Sequence, residues 1–220
     1  MIQYRGVNVL TDPMLSLQAG PTALLSIKRI SPPGLRVQQL PRIHVVVLSH
    51  DHYDHLDLPT LEALDERVLM VVPLGLRPWL IDAGFAPERI RELDWWQSVQ
   101  LRVTVDGTSV PLEFTATPAQ HVSGRGPFDR NDRLWASWAI ALDELRVFFA
   151  GDTGYSPDFV AIGERCGPVD LAMIPIGAYS PRDYMGPVHI DPVDLSCYDA
   201  LLSHCAGGAS GDGASDASMT

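Results

Sequence analysis

The sequence predicts an α/β protein. Three observations carry that prediction: short β-branched runs ending in turn residues, capped helical stretches between them, and a cluster of imidazoles and carboxylates directly after one run. Val7-Asn8-Val9-Leu10 before Thr11-Asp12-Pro13 reads as a strand closed by a turn. Val45-Val46-Val47-Leu48 is a buried strand. Asp57 ahead of Leu58-Pro59-Thr60-Leu61 has the form of an N-cap, with Pro59 tolerated in the first helical turn. Residues 76–83 give a second helix. Two hairpins follow, 101–105 with 109–116 around Asp106-Gly107, and 135–142 with 145–150 around Asp143-Glu144. Ser156-Pro157-Asp158-Phe159 opens a further helix that glycines at 163 and 167 close. Residues 171–176 form another buried strand with Pro175 near its end.

Composition sets the limits. The chain has 220 residues, 46% of them apolar and 20% charged, which is ordinary for a globular domain and not for a disordered chain. A net charge of −11 opposes a nucleic-acid groove built of Lys and Arg. Three cysteines, Cys166, Cys197 and Cys205, are too scattered for a disulfide framework or a Cys-rich metal site and fit a reducing compartment. The opening residues lack the order of a signal peptide, and no stretch reaches the roughly 18 apolar residues of a spanning helix. The expectation is a soluble, cytoplasmic protein. Beyond Asp194 apolar periodicity fades, and residues 207–220, nearly all Ala, Gly, Ser and Asp, are expected to be a disordered tail behind a single domain of residues 1–206.

The densest chemistry lies in Ser49-His50-Asp51-His52-Tyr53-Asp54-His55, with three imidazoles and two carboxylates. Nitrogen and oxygen donors without sulfur suit Zn²⁺, Mn²⁺ or Fe. Residues two apart in an extended segment point the same way, so His50 and His52 can reach one ion. Asp54 and His55 share a target only if the chain turns there. Two later strand ends add donors: His121 after Thr117-Pro118-Ala119-Gln120, and Asp152 in Gly151-Asp152-Thr153-Gly154, where glycine lets the backbone turn and come close to an ion. Together they supply a further nitrogen and a carboxylate able to bridge two ions. Asp51 and Asp57 are candidates to orient a ligand histidine from behind, Asp57 equally a helix cap.

These segments resemble the metallo-β-lactamase fold superfamily, and within it the branch containing N-acylphosphatidylethanolamine-hydrolysing phospholipase D. The resemblance spans about residues 6–192. It is carried by Leu10-Thr11-Asp12-Pro13, the His50–His55 motif, Val72-Pro73-Leu74-Gly75, Leu93-Asp94-Trp95-Trp96, Pro118-Ala119-Gln120-His121, Leu134-Trp135-Ala136-Ser137-Trp138, Gly151-Asp152-Thr153-Gly154-Tyr155 and Pro175-Ile176-Gly177-Ala178-Tyr179. It implies a four-layer αβ/βα sandwich of two mixed sheets with helices outside and metals at one edge. By the same resemblance His50, His52 and His121 hold one zinc, Asp54 and His55 hold a second, and Asp152 bridges them. Catalytic roles fall to Asp54 and to His189, the latter for substrate contact or proton transfer. The implied reaction is hydrolysis of a phosphodiester, small or lipid, by a water presented as hydroxide between the ions. Five tryptophans, Trp79, Trp95, Trp96, Trp135 and Trp138, could line an apolar groove for such a lipid, although core packing accounts for most of them. Arg182 is read as pairing with a phosphate or, preferably, a carboxylate of the fold. Peripheral contact with a membrane stays open.

The chain also departs from the pattern. A final histidine in a His-Trp-Gly-Thr-Phe segment and an early Gly-His-Ala strand are absent; His204 is the sole histidine after His189. The expectations drawn from this are an exposed first sheet edge, a replaced C-terminus with a frameshift around residues 194–197, and a second metal held more weakly than the first. A lactonase or sugar-phosphate hydrolase of the same fold is the second functional reading, and a metal-binding remnant with little activity the third.

Overall fold

A computed structural model describes residues 1–193. The first sheet has the order β1-β2-β5-β6-β7, with β1 (Ile2–Tyr4), β2 (Val7–Thr11), β5 (Val45–Val47), β6 (Leu69–Pro73) and β7 (Ile90–Leu93). β1 and β2 are antiparallel, and β2, β5, β6 and β7 run parallel. The second sheet has the order β12-β11-β10-β9-β8, with β8 (Ser98–Val105), β9 (Thr108–Thr117), β10 (Ser137–Leu142), β11 (Leu145–Phe149) and β12 (Leu171–Met173). It is antiparallel except for the β11–β12 pair. β3 (Gln18–Ala19) and β4 (Ile27–Lys28) form a separate two-stranded ribbon.

Alternation along β5 explains the layering. Val45 and Val47 face the second sheet and pack with Val7, Val9, Leu112, Phe114, Trp138 and Ile140. Val46 and Leu48 face the other way, onto Leu61 of α1 (Leu58–Glu62) and onto Leu76 and Leu80 of α2 (Leu76–Asp82). A strand buried on both faces has to be apolar throughout, and this one is. Across the molecule, Phe148 and Ala150 cover Phe159 and Ile162 of α3 (Asp158–Cys166). The result is helix, sheet, sheet, helix, the four-layer sandwich expected. A short α4 (Arg182–Met185) closes the described chain.

The expected strands and helices are present with shifted ends, and the first hairpin is longer than read, Ser98–Val105 paired with Thr108–Thr117. The second hairpin starts at Ser137 rather than 135, because Trp135 leaves the ladder and its indole N–H donates to the Ala119 carbonyl at 2.8 Å. The last strand stops at Met173, two residues before Pro175, which cannot donate to a ladder. Asp57 holds the N-cap position of α1, but its side chain makes no cap bond. No helix among the described residues is long and apolar enough to cross a membrane. The tail, the 194–197 region and His204 lie outside the described residues.

Candidate metal centre

Sheet one delivers the first wall of the site. After β5 the chain continues through Ser49 into the histidine segment, and there it turns: the His55 and Leu56 amides both donate to the His52 carbonyl, at 3.1 and 2.8 Å. The loop is fastened from behind. Asp51 is buried and accepts from the Gly124 amide at 2.7 Å and from the Arg133 guanidinium. Arg125 lies over the Tyr53 ring and donates to the Asp51 and Leu56 carbonyls at 2.7 and 2.9 Å. Asp51 therefore anchors the loop and is not bonded to a ligand histidine, in contrast to the expectation. Asp57 likewise accepts from the Leu15 and Ser16 amides and the Ser16 hydroxyl, holding the segment that follows Asp12.

Sheet two delivers the second wall. The Trp138 indole N–H donates to the Leu48 carbonyl at 2.9 Å, and the Ala136 amide to the Ser49 carbonyl at 2.8 Å, binding the two sheets together where the loop begins. Gly151, at φ 61°, is required by the same junction: a Cβ there would lie 2.4 Å from the Ser49 Cβ. Its small size thus serves approach to Ser49, so that Asp152, next in the chain, reaches the histidines.

The donor atoms converge. His50 Nε2 lies 2.8 Å from His52 Nδ1, which lies 3.3 Å from His121 Nε2. Two ligands about 2.0–2.1 Å from a common tetrahedral ion are roughly 3.4 Å apart, so this trio has the dimensions of a metal cradle. Asp152 Oδ2 sits 3.1 Å from His55 Nε2 and 3.9 Å from both His121 Nε2 and His189 Nδ1, between the trio and His55. Asp54 stands at the rim, its side chain 66% exposed and 3.8 Å from His55 Nε2. His189 stacks edge-on against His121 with centroids 5.3 Å apart.

One residue without an assigned role in the sequence organises the rest. Asp12 accepts from the Ser49 amide at 2.7 Å, from the Ser49 hydroxyl, and from His55 Nδ1 at 2.6 Å. Because the Ser49 hydroxyl donates to Asp12, its lone pair accepts from His50 Nδ1, 2.8 Å away. His55 and His50 are thereby both fixed with Nε2 turned inward. His121 gains the same tautomer by donating Nδ1–H to the Val188 carbonyl at 3.1 Å. The available signal was Asp12 closing a strand beside the histidine strand, a position that reads equally as a turn.

Charge follows from this packing. Burial, then the neighbouring imidazoles, hold His50 well below the ordinary imidazole value, and burial lowers His52 as well. His121 is brought to about 4, mainly by burial. These three present lone pairs rather than protons, as metal ligands must. His55 is the opposite case. Burial pulls it down, but Asp12 and Asp152 outweigh burial and raise it well above its usual value. Asp152 is held low despite burial, by His55, His121 and His189. Three inward lone pairs beside the Asp152 carboxylate, which is held anionic, are chemistry suited to cations, and His55 would exchange its proton for one, so the residues fit a metal centre.

Comparison with known proteins agrees with this geometry. The profile described as beta-lactamase superfamily domain matches residues 7–206. The chain belongs to the metallo-β-lactamase superfamily. Members of this superfamily similar to the chain include N-acyl-phosphatidylethanolamine-hydrolyzing phospholipase D 1 of Caenorhabditis elegans, 38% identical over 199 residues, covering 87% of this chain and 55% of that protein. The mitochondrial N-acyl-phosphatidylethanolamine-hydrolyzing phospholipase D of Saccharomyces cerevisiae is 35% identical over 202 residues, covering 87% and 41%. The chain thus spans about half the length of these relatives. Among solved structures, an isothiocyanate hydrolase from Delia radicum gut bacteria superposes with a TM-score of 0.65 at 23% identity, over 92% of this chain and 77% of that one, a likeness of fold. The superfamily's metallo-hydrolase fold implies a divalent-metal site at this histidine cluster.

The remaining sequence candidates have other places. Arg182 pairs with Asp191 at 2.9 Å, the carboxylate alternative. Trp138 is in the inter-sheet core, Trp95 packs against that core and donates to the Trp135 carbonyl at 2.7 Å, and Trp96 lies under Arg165. Trp79 lies against the α1–α2 core under Arg125. The cavity beside Asp152, about 420 Å³, is lined by Phe149, Met173, Ile174 and Pro175 on its apolar side, and no tryptophan contributes to it.

Proposed function

We propose that the protein is a metal-dependent phosphodiesterase of the phospholipase D-like kind, acting on a phosphodiester with an apolar arm. The observation that carries the reading is the placement of Asp152 between the His50–His52–His121 nitrogens and His55. In this reading His50, His52 and His121 would hold one cation, and His55 and Asp54 a second, with Asp152 available to both; nitrogen–oxygen donor chemistry favours zinc, with manganese or iron as alternatives. Such cations supply Lewis acidity that activates water for attack at phosphorus and draws charge from the phosphoryl oxygens.

The protein's own residues do the rest. Ser49 and Asp12 keep His50 and His55 turned inward, and the Val188 carbonyl does so for His121. Water passes a proton to the Asp54 carboxylate as it adds to phosphorus, the bond to the leaving oxygen breaks, and the proton that oxygen requires comes from His189, which flanks Asp152 with its ring mostly buried. The apolar cavity wall from Phe149 to Pro175 accepts the hydrophobic arm. The named relatives support an N-acyl phospholipid as that substrate. Exposure of Asp54 supports a second cation bound less tightly than the first.

The test is metal content per chain together with hydrolysis of bis(p-nitrophenyl) phosphate, with and without added zinc. Zinc-dependent turnover abolished by His121→Ala is the expected result. Turnover indifferent to chelator, or metal-loaded protein that cleaves a lactone but no phosphodiester, would reject it in favour of another hydrolase chemistry.

A further inference from the structure

The chain is acidic overall, yet from Pro13 to His50 it contains no aspartate or glutamate, while Lys28, Arg29, Arg36 and Arg42 fall within that stretch. Lys28 is the single lysine of the protein. The same stretch carries the densest exposed aliphatic surface: Leu24 is 95% exposed, Ile27 and Ile30 are at least as far out as four-fifths, and Leu17 and Leu25 are also exposed. Cations without neighbouring acids combined with bare aliphatics are unfavourable on a free surface, because like charges repel and water does not favour exposed leucine.

The local structure is a ribbon of two short strands, Gln18 opposite Lys28 and Ala19 opposite Ile27. A ribbon of that size is marginal in water by itself. Its base, however, is fixed: the Arg29 amide donates to the Leu17 carbonyl at 3.0 Å, and the Arg29 side chain donates to the Ser16 carbonyl at 2.8 Å and to the Met14 carbonyl. Ser16 and Leu15 are held by Asp57 at the end of the histidine loop, and the segment begins at Asp12, which orients His55. An open cavity of about 480 Å³ between this base and α1 is lined by Leu15, Leu17, Pro32, Pro33, Val37 and Pro59. The apolar tip is therefore displayed on a mount continuous with the metal centre.

We propose that residues 17–36 form a docking element for anionic lipid surfaces, inserting Leu24, Leu25, Ile27 and Ile30 while Lys28 and Arg36 meet acidic headgroups. Apolar side chains interleaved with cations, on a protein whose net charge would otherwise be repelled, are the chemistry of an interfacial anchor. A second copy of the chain would carry the same cations on the same face, so charge complementarity favours lipid over self-association. The purpose of docking rests on the phospholipid reading of the site, whereas binding itself is measured without it.

The experiment is co-sedimentation of the full chain with phosphatidylcholine vesicles, with and without about a third phosphatidylserine. Binding is expected to need phosphatidylserine and to weaken as salt is raised. Leu24→Ser with Ile30→Ser should lower the partition coefficient roughly tenfold or more, and Lys28→Glu at least about fivefold. Both variants should keep their circular dichroism and their turnover of bis(p-nitrophenyl) phosphate. A parent chain that sediments with neither vesicle, or variants that bind as the parent does, overturn the proposal. So does a parent dimer that the double substitution converts to monomer without any vesicle binding. Vesicle binding by a chain that lacks phosphodiesterase turnover leaves docking standing and removes the functional reading alone.

Discussion

The histidine loop, residues 49–57, and the excursion 14–36 are neighbours joined through Asp57, and they are built on opposite terms. In the loop nearly every polar group has a buried partner: Asp51 with Arg133 and Gly124, Arg125 with two carbonyls, Ser49 with Asp12. In the excursion aliphatic side chains stand in solvent beyond a base tied by Arg29 and Asp57. The difference teaches where each kind of function can reside. Converging ligands need over-determined geometry, because a buried charge network tolerates one arrangement. A surface that meets a fluid partner needs exposure and charge instead.

Substitutions can break the loop side of this contrast, and Gly151→Ala should do so most severely. The new methyl lies 2.4 Å from the Ser49 Cβ, at a φ that L residues disfavour, and the expected loss is about 3 kcal/mol or more in urea denaturation, with loss of metal binding. Asp51→Ala comes next. It removes one of the two carboxylates that pair with the mostly buried Arg133 guanidinium, leaving Asp129, and strips the Gly124 amide of its acceptor, a change expected to cost roughly 2 kcal/mol. Asp12→Asn should separate geometry from stability: an amide can keep the Ser49 amide bond but loses the charge that holds His55, so metal affinity or turnover should drop about 10- to 100-fold with little change in Tm. An Asp12→Asn protein with full metal affinity would contradict the orienting role.

The excursion should respond differently. Leu24→Ser is expected to alter stability by no more than about 0.5 kcal/mol, since the side chain loses no buried contact. The smallest effect concerns His44, which lies outside both regions and accepts the Asn8 amide at 3.0 Å. Burial, and then Arg42, hold its pKa below 6.5 in the fold. The unfolded chain therefore takes up the proton first as pH falls, so this contribution is present above pH 6.5 and is lost below it. Urea midpoints followed from neutral into acid should fall less steeply in His44→Gln than in the parent.

Several of these features were legible before folding. β5 could be read because a strand buried on both sides has one solution, a continuous apolar run. The His50–His55 segment could be read because imidazoles and carboxylates at that density have few uses without a cation. Asp51, Asp57 and Arg125 were not legible in their actual roles. Each lies beside the histidines in sequence or space, but whether a carboxylate turns toward a ligand or away to Arg133 or Ser16 depends on which loop packs behind it.

The sequence by itself determined the strands, the hairpins and which residue types could bind metal, since periodicity, turn chemistry and donor identity are local properties, while the four layers followed from the family resemblance. Only the tertiary structure decided that Asp12 orients His50 and His55, that Asp51 turns away to Arg133, and that the acid-free stretch 13–50 places bare aliphatics on a mount attached to the site. These depend on how two sheets meet at Ser49 and Gly151, and contacts between chain segments far apart in sequence leave no periodic trace in it.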